Sequence, residues 1–144
     1  MKIDESMKLG SQLCFPLYAA TRKIVGNYTP YLKPLGITYT QYIMFLALWE
    51  KDGITVGELC KRLRLDTGTV TPMLKNTEKQ GLIRRERSEE DERVVVITLT
   101  KEGKALYKKA KDIPGKVGSC VGLDRDEAAQ LYTLLYKLLE NDQV

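Results

Sequence analysis

The sequence predicts a mainly α-helical fold with a small β-hairpin. A winged helix-turn-helix over about residues 38–99 is flanked by N- and C-terminal dimerisation helices over about 11–32 and 100–142, within one domain spanning 1–144. Three observations carry that expectation. Two short helical periodicities meet at a tight turn between Thr55 and Gly81. Two β-prone runs, Leu82–Arg87 and Val94–Leu99, bracket the charged stretch Ser88–Arg93. A last segment from Asp124 carries more leucine than the flank of a small domain needs to bury.

The first helix is read from about Gln12 to Tyr31, with Leu13, Leu17, Ala20, Ile24 and Tyr28 on one stripe. Pro16 fits its first turn, where a missing N–H is tolerated. That puts Cys14 at or just before the helix N-terminus, where the dipole and free N–H groups stabilise a thiolate. The competing reading is a packed thiol: free cysteine is among the most buried residue types, and Leu17 and Tyr18 lie beside Cys14 at i+3 and i+4. Tyr18, Tyr28, Tyr31, Tyr39 and Tyr42 make the N-terminal third rich in phenols, which can donate to a thiolate or simply pack. Thr38 and Gln41 then form a capping box, with Ile37 and Tyr42 as its hydrophobic staple. The helix that follows to about Lys51 carries Ile43, Phe45, Leu46, Leu48 and Trp49, apolar enough to sit at the centre of the core.

The helix-turn-helix opens with Thr55 and Glu58 at capping-box spacing, and Val56, Leu59, Cys60 and Leu63 share a core face. Its second helix starts near Asp66 or Thr67, turns Val70, Met73, Leu74 and Thr77 inward, and stops at Gly81. Pro72 requires a late start or a bend, because a proline past the first turn removes a ladder hydrogen bond. The outward face offers Thr67, Thr69, Thr71 and Lys75, small hydroxyls and one cation that can approach phosphates and base edges. Between Lys61 and Arg87 eight Lys or Arg stand against three acids (Asp66, Glu78 and Glu86), so this stretch is far more basic than the chain at +4. A solvated charged face would share that composition; helix, turn, helix and basic wing together point to nucleic acid.

Beyond the wing, Thr100 caps a helix to about Ile113, with Leu106, Ala110 and Ile113 inward and Lys104, Lys108, Lys109 and Lys111 largely outward. Pro114 and Gly115 interrupt it, and the Gly-rich stretch Lys116–Leu123, which holds Cys120, reads as a loop. Asp124 and Glu127 start a last helix bearing Ala128, Leu131, Leu134, Leu135, Leu138 and Leu139. So wide an apolar face suits a twofold dimer built with the first helix; the plainer alternative is packing within its own chain. Two recognition helices about 34 Å apart would match a pseudo-palindromic double-stranded site.

Composition narrows the function classes. With 144 residues, 43% of them hydrophobic, the chain fits one core of ordinary size. No run reaches the roughly 18 apolar residues of a membrane span, and the opening MKIDESMKLG lacks the apolar centre of a secretion signal, so a cytoplasmic protein with no membrane partner is expected. Cys14, Cys60 and Cys120 stand far apart and there is no histidine. That argues against a disulfide scaffold, a zinc finger and a histidine-based triad, and no metal or cofactor is expected.

The order of these elements, with LDTGTVTPMLKNTEKQGLI followed by RSEEDERVVVITLT, resembles the MarR family of winged-helix transcription regulators. LCFPLYAATRK together with ITYTQYIMFLALWE resembles more narrowly its organic-hydroperoxide branch, the OhrR-type repressors. The resemblance implies a homodimeric repressor, not an enzyme, that senses peroxide through one N-terminal cysteine. It implies Cys14 as that cysteine, Tyr28 and Tyr39 as tyrosines reaching it from the partner subunit, and Tyr18 as a nearby one. In the recognition helix it implies Asp66, Thr67, Gly68, Thr69 and Thr71 as a DNA-facing run, and in the wing Asp91 and Arg93 as a D-x-R whose arginine enters the minor groove. Lys75, Arg84 and Arg87 complete the expected DNA-binding set from the basic stretch. Cys60 matches no functional position. Either Cys120, about one residue from the expected place of a resolving cysteine, or a free small thiol resolves the oxidised Cys14. Pro16 departs from the residue usual after the LCF motif. Two rivals remain: a repressor released by a small aromatic ligand, and a thiol peroxidase turning over hydroperoxide at Cys14.

Overall fold

The computed structural model describes residues 1 and 3–141, so position 142 of the expected C-terminal stretch lies outside the described residues. Among the described residues the order is α1 (Cys14–Leu32), α2 (Tyr39–Glu50), β1 (Ile54–Thr55), α3 (Val56–Leu63), α4 (Thr67–Lys79), β2 (Ile83–Arg87), β3 (Val95–Leu99), α5 (Lys101–Ala110), α6 (Ile113–Gly118) and α7 (Arg125–Leu139). None of these helices is long and apolar enough to cross a membrane.

The wing is more than the expected hairpin. β2 and β3 pair antiparallel with Ile83 opposite Leu99 and Arg87 opposite Val95, and β1 adds a third strand on the other edge of β3, Ile54 opposite Ile97. Asp52 ties this edge down, its Oδ1 accepting the Gly53 N–H at 3.0 Å and the Leu99 N–H at 2.8 Å.

α2 is the axis of the core. Its Tyr42, Met44, Phe45 and Leu48 are at most 1% exposed, and Leu59, Val70, Leu74, Ile83, Ile97, Ile113 and Val117 close around them. Burying one such side chain stabilises by roughly 1.5–3 kcal/mol. Leu46, expected inside, is exposed; helical spacing sets it in the strip shared with Ile43 and Glu50, the sector of α2 that the core leaves open. α5 crosses the base of the wing at Gly103, whose carbonyl accepts the Trp49 Nε1–H at 3.1 Å. A Cβ at Gly103 would stand 2.1 Å from the Leu82 carbonyl oxygen.

Capping explains where most helices begin. Thr38 and Gln41 form a full box, as do Asp124 and Glu127. Thr55 gives half of one: its Oγ1 accepts the Glu58 N–H at 3.1 Å, but the Glu58 carboxylate turns to Lys51 Nζ at 2.9 Å. α4 starts at Thr67, which removes the late start, and runs through an exposed Pro72. The carbonyl that loses its donor belongs to Gly68, an exposed residue open to water. The break after the wing also differs from expectation. α5 stops at Ala110, and Pro114 sits in the first turn of α6, starting a helix instead of interrupting one. The first three residues of the expected loop, Lys116 to Gly118, are therefore helical, with Val117 buried.

The two ends of the chain contrast with this core. α1 buries only Leu32, and α7 buries none of its residues. Between them Leu13, Leu17, Leu131, Leu134 and Leu138 line an apolar cleft of about 600 Å³.

Candidate DNA-binding face and thiol site

α4 is held at both ends. Asp66 Oδ1 accepts the Thr69 N–H at 2.8 Å, and Thr69 Oγ1 donates to Asp66 Oδ2 at 2.8 Å. The Thr69 hydroxyl and N–H bonds hold the Asp66 carboxyl below the ordinary aspartate range. At the other end Gly81, at φ 73°, takes the left-handed position that stops the helix, with Leu82 N–H returning to the Thr77 carbonyl. Thr67, Gly68, Thr69 and Lys75 are exposed on the open side, Thr71 is half-buried, and Asp66 is engaged as the cap.

The wing presents Arg84 and Arg87 from β2, both exposed. Its tip is closed by Ser88 N–H to the Val94 carbonyl at 2.8 Å. There Asp91 Oδ1 accepts from the Arg93 backbone N–H at 3.0 Å and from Nε at 3.2 Å, and the Arg93 side chain remains 91% exposed. The D-x-R pair is thus a local clamp that aims an arginine outward.

Three of the eight cations counted in the sequence serve the fold. Arg62 Nη1 donates to the Ala47 carbonyl at 2.8 Å and pairs with Glu50. Arg64, the one non-glycine residue with positive φ among those described (52°), donates to the Leu139 carbonyl at 3.1 Å and so joins the end of α7 to the turn before α4. Glu78 takes Arg85 by Nε at 2.9 Å, Nη2 at 2.7 Å and the backbone N–H at 3.0 Å, bonds that hold the Glu78 carboxyl below its ordinary range. Lys61, Lys75, Lys79, Arg84 and Arg87 are exposed.

Cys14 is the first residue of α1 and is exposed, so the packed-thiol reading does not hold within the chain. Tyr18, one turn on, is exposed under the Arg22 guanidinium at 5.6 Å. Tyr28, Tyr39 and Tyr42 form a cluster, with ring centroids 4.9 Å apart for Tyr28 and Tyr39 and 5.5 Å for Tyr28 and Tyr42. Burial pushes the Tyr28 and Tyr39 phenols up and Tyr42 to about 12, so all three are neutral donors at neutral pH. Tyr42 Oη is buried without a partner among the described residues. Tyr28 lies fourteen residues beyond Cys14 on the same helix, roughly 21 Å of rise. Cys120 belongs with the tyrosine end: its Sγ donates to the Lys116 carbonyl at 3.4 Å, and Lys116 Nζ is 5.8 Å from the Tyr31 ring. Cys60, half-buried, has its Sγ 4.0 Å from Thr67 Oγ1.

The sequence profile described as transcriptional regulator SarA/Rot matches residues 27–110, from the second half of α1 through α5. An organic hydroperoxide resistance transcriptional regulator of Bacillus subtilis (strain 168) is 50% identical over 136 residues, 94% of this chain and 92% of that protein. The chain belongs to the MarR-type winged-helix regulators, in their organic-hydroperoxide branch. It is a member of a family of regulators and not of enzymes, which sets the thiol-peroxidase reading aside. Among solved structures, this MarR-type chain matches AbfR of Staphylococcus epidermidis. Reduced AbfR bound to DNA gives a TM-score of 0.76 at 37% identity over 94% of both chains. Overoxidized AbfR bound to DNA also gives 0.76, at 36% over 94% of this chain and 96% of that one. Disulfide-formed AbfR gives 0.64, again at 36% over 94% and 96%.

Sequence reasoning missed the structural arginines of this MarR-type chain, Arg62, Arg64 and Arg85, because composition counts cations without saying which find an acceptor. It also missed that Gln41 reaches beyond its cap, its Nε2 lying 2.8 Å from Thr77 Oγ1 in α4. A polar residue at the inward spacing of α4, which Thr77 is, was the available signal.

Proposed function

We propose that the chain is a homodimeric DNA-binding repressor of the cytoplasm, released from a pseudo-palindromic operator when a hydroperoxide oxidises Cys14. One observation carries this reading. α1 sets the exposed Cys14 at one end and the Tyr28–Tyr39–Tyr42 cluster toward the other, too far apart to meet within one chain, beside an apolar cleft against α7 that the described residues leave open. A second copy packed antiparallel in that cleft brings Cys14 of the partner subunit to the phenols and Cys120.

In the reduced dimer the phenols of Tyr28 and Tyr39 donate to the Cys14 thiolate, with Tyr18 at the rim. Thr67, Gly68, Thr69, Thr71 and Lys75 face the major groove behind the Asp66 cap, Arg84 and Arg87 meet phosphates, and Arg93, aimed by Asp91, enters the minor groove. The thiolate attacks the terminal peroxide oxygen, the O–O bond breaks, the leaving alkoxide takes a proton from water to become an alcohol, and Cys14 becomes a sulfenic acid. A thiol, either Cys120 across the dimer or a free small thiol, then attacks that sulfur, forming a disulfide and releasing water. The phenols lose their acceptor, the recognition helices lose their mutual spacing, and a grip that needs both half-sites fails. The AbfR structures support the disulfide as the releasing species: that protein is bound to DNA both reduced and overoxidized, and its disulfide form matches the present fold less well than either, with a TM-score of 0.64 against 0.76.

The test is a gel shift on the promoter beside the protein's own gene, with and without an organic hydroperoxide, followed by non-reducing mass analysis. Release with a Cys14–Cys120 link supports the two-cysteine route, and release with a small-thiol adduct on Cys14 supports the other. A Cys14→Ser protein should bind DNA and ignore peroxide; its release by peroxide refutes Cys14 as sensor.

A further inference from the structure

Gln41 and Thr77 are the polar side chains that the described core buries, 2% and 0% exposed, and they bond to each other. A buried amide is costly unless each of its groups is paired, and here each is. Gln41 Oε1 accepts the Thr38 N–H at 2.9 Å, which fixes the amide so that Nε2 faces α4. Nε2 donates to Thr77 Oγ1 at 2.8 Å and to Gln80 Oε1 at 2.7 Å. Thr77 Oγ1 donates in turn to the Met73 carbonyl at 2.8 Å, and Gln80 Nε2 donates to the Gly36 carbonyl at 2.9 Å. The network therefore closes on itself: Gly36 and Thr38 before α2, the first turn of α2, and the last turns of α4.

That first turn of α2 also carries Tyr39 and leads to Tyr42, two members of the phenol cluster. We infer that Gln41 is a positioning residue that locks the C-terminal end of the recognition helix to the turn bearing Tyr39, so that movement of the phenols on oxidation reaches α4 through this amide. The inference rests on the peroxide-release reading above. A glutamine needed only for capping would use its Oε1; the two bonds from Nε2, to Thr77 within α4 and to Gln80 at its C-cap, are additional and reach the recognition helix. Because both N–H groups and the oxygen of the buried Gln41 amide are used, the α2 turn and the end of α4 move together or the network breaks as a unit.

The experiment measures operator affinity of the full-length protein before and after an organic hydroperoxide, with Cys14 oxidation followed by mass analysis in the same samples. Gln41→Met keeps length and removes the amide, Thr77→Val keeps shape and removes the hydroxyl, and Thr77→Ser restores it. The expected result is wild-type Cys14 oxidation in all variants, with the reduced-to-oxidised affinity ratio at least about tenfold smaller in Gln41→Met and Thr77→Val and kept in Thr77→Ser. A purely structural role would weaken both states alike and leave the ratio unchanged, and that result overturns the inference. If Gln41→Met does not fold, Thr77→Val and Gln80→Met decide on the same ratio. A wild-type protein that holds operator after full Cys14 oxidation and disulfide formation overturns the sensing reading and the coupling with it. A wild type that releases, with variants that release equally, overturns the coupling alone.

Discussion

The block from α2 to α5 and the pair α1 with α7 use the same kinds of apolar side chain in opposite ways. In the block, Phe45, Leu48, Leu59 and Val70 are fully buried; on the pair, Leu13 is 77% exposed and Leu134 62%. The block satisfies itself within one chain. The pair repeats leucine at helical spacing, Leu131, Leu134 and Leu138, and these side chains stay exposed among the described residues, the surface that the proposed dimer would cover. The difference teaches that amphipathic spacing tells which face will be buried and does not tell by which molecule.

The hardest blow to that comparison falls on the pair. Replacing Leu134 and Leu138 together by Asp should give single-chain mass in sedimentation and lower operator affinity by about 10²–10⁴, the loss expected when two linked half-sites become one. A variant that stays dimeric breaks the contrast between the regions. Within the block, Gly103→Ala drives a methyl into the Leu82 carbonyl and should destabilise by on the order of 3 kcal/mol in urea unfolding, with the wing base displaced. Thr100→Ala is smaller: it removes the cap that accepts the Gly103 N–H and the bond to the Gly81 carbonyl, at about 1 kcal/mol. Smallest is the acid dependence of the wing. Glu78 has a folded pKa lowered by the Arg85 side-chain bonds, so its contribution is present above the ordinary glutamate value of about 4.3 and is lost as pH falls through the lower folded value. With Glu78 about a third exposed, solvent screens the pair. Arg85→Ala should flatten the acid limb of the urea midpoint between about pH 2 and 5, and an unchanged limb would remove Glu78 from the account.

Much of the block was legible because its signals are local. Thr38, Thr100 and Gly81 declare helix ends through single side chains or a single φ, and α2 declares its centrality by composition. β1 was not legible because two residues are too few to alternate; only its ladder to β3 makes Ile54 and Thr55 a strand. The break between Ala110 and Ile113 was misplaced because Pro114 favours the start of a helix as readily as it stops one. At the thiol site, the exposure of Cys14 escaped spacing because Leu17 and Tyr18 beside it are themselves exposed. In the proposed dimer the thiol that resolves Cys14 is set by two chains together, which the spacing of residues along one chain does not reach.

The distance from Cys14 to Tyr28 along α1 has a genetic signature. If each sensor takes its cysteine from one chain and its phenols from the other, two defective alleles mend each other. A Cys14→Ser chain paired with a chain carrying Tyr28→Phe and Tyr39→Phe gathers both defects on one side of the mixed dimer and leaves the other side whole. A purified mixed dimer of the two alleles' products would regain a peroxide response that neither homodimer gives, whereas a sensor confined within one chain would leave it as unresponsive as its parents.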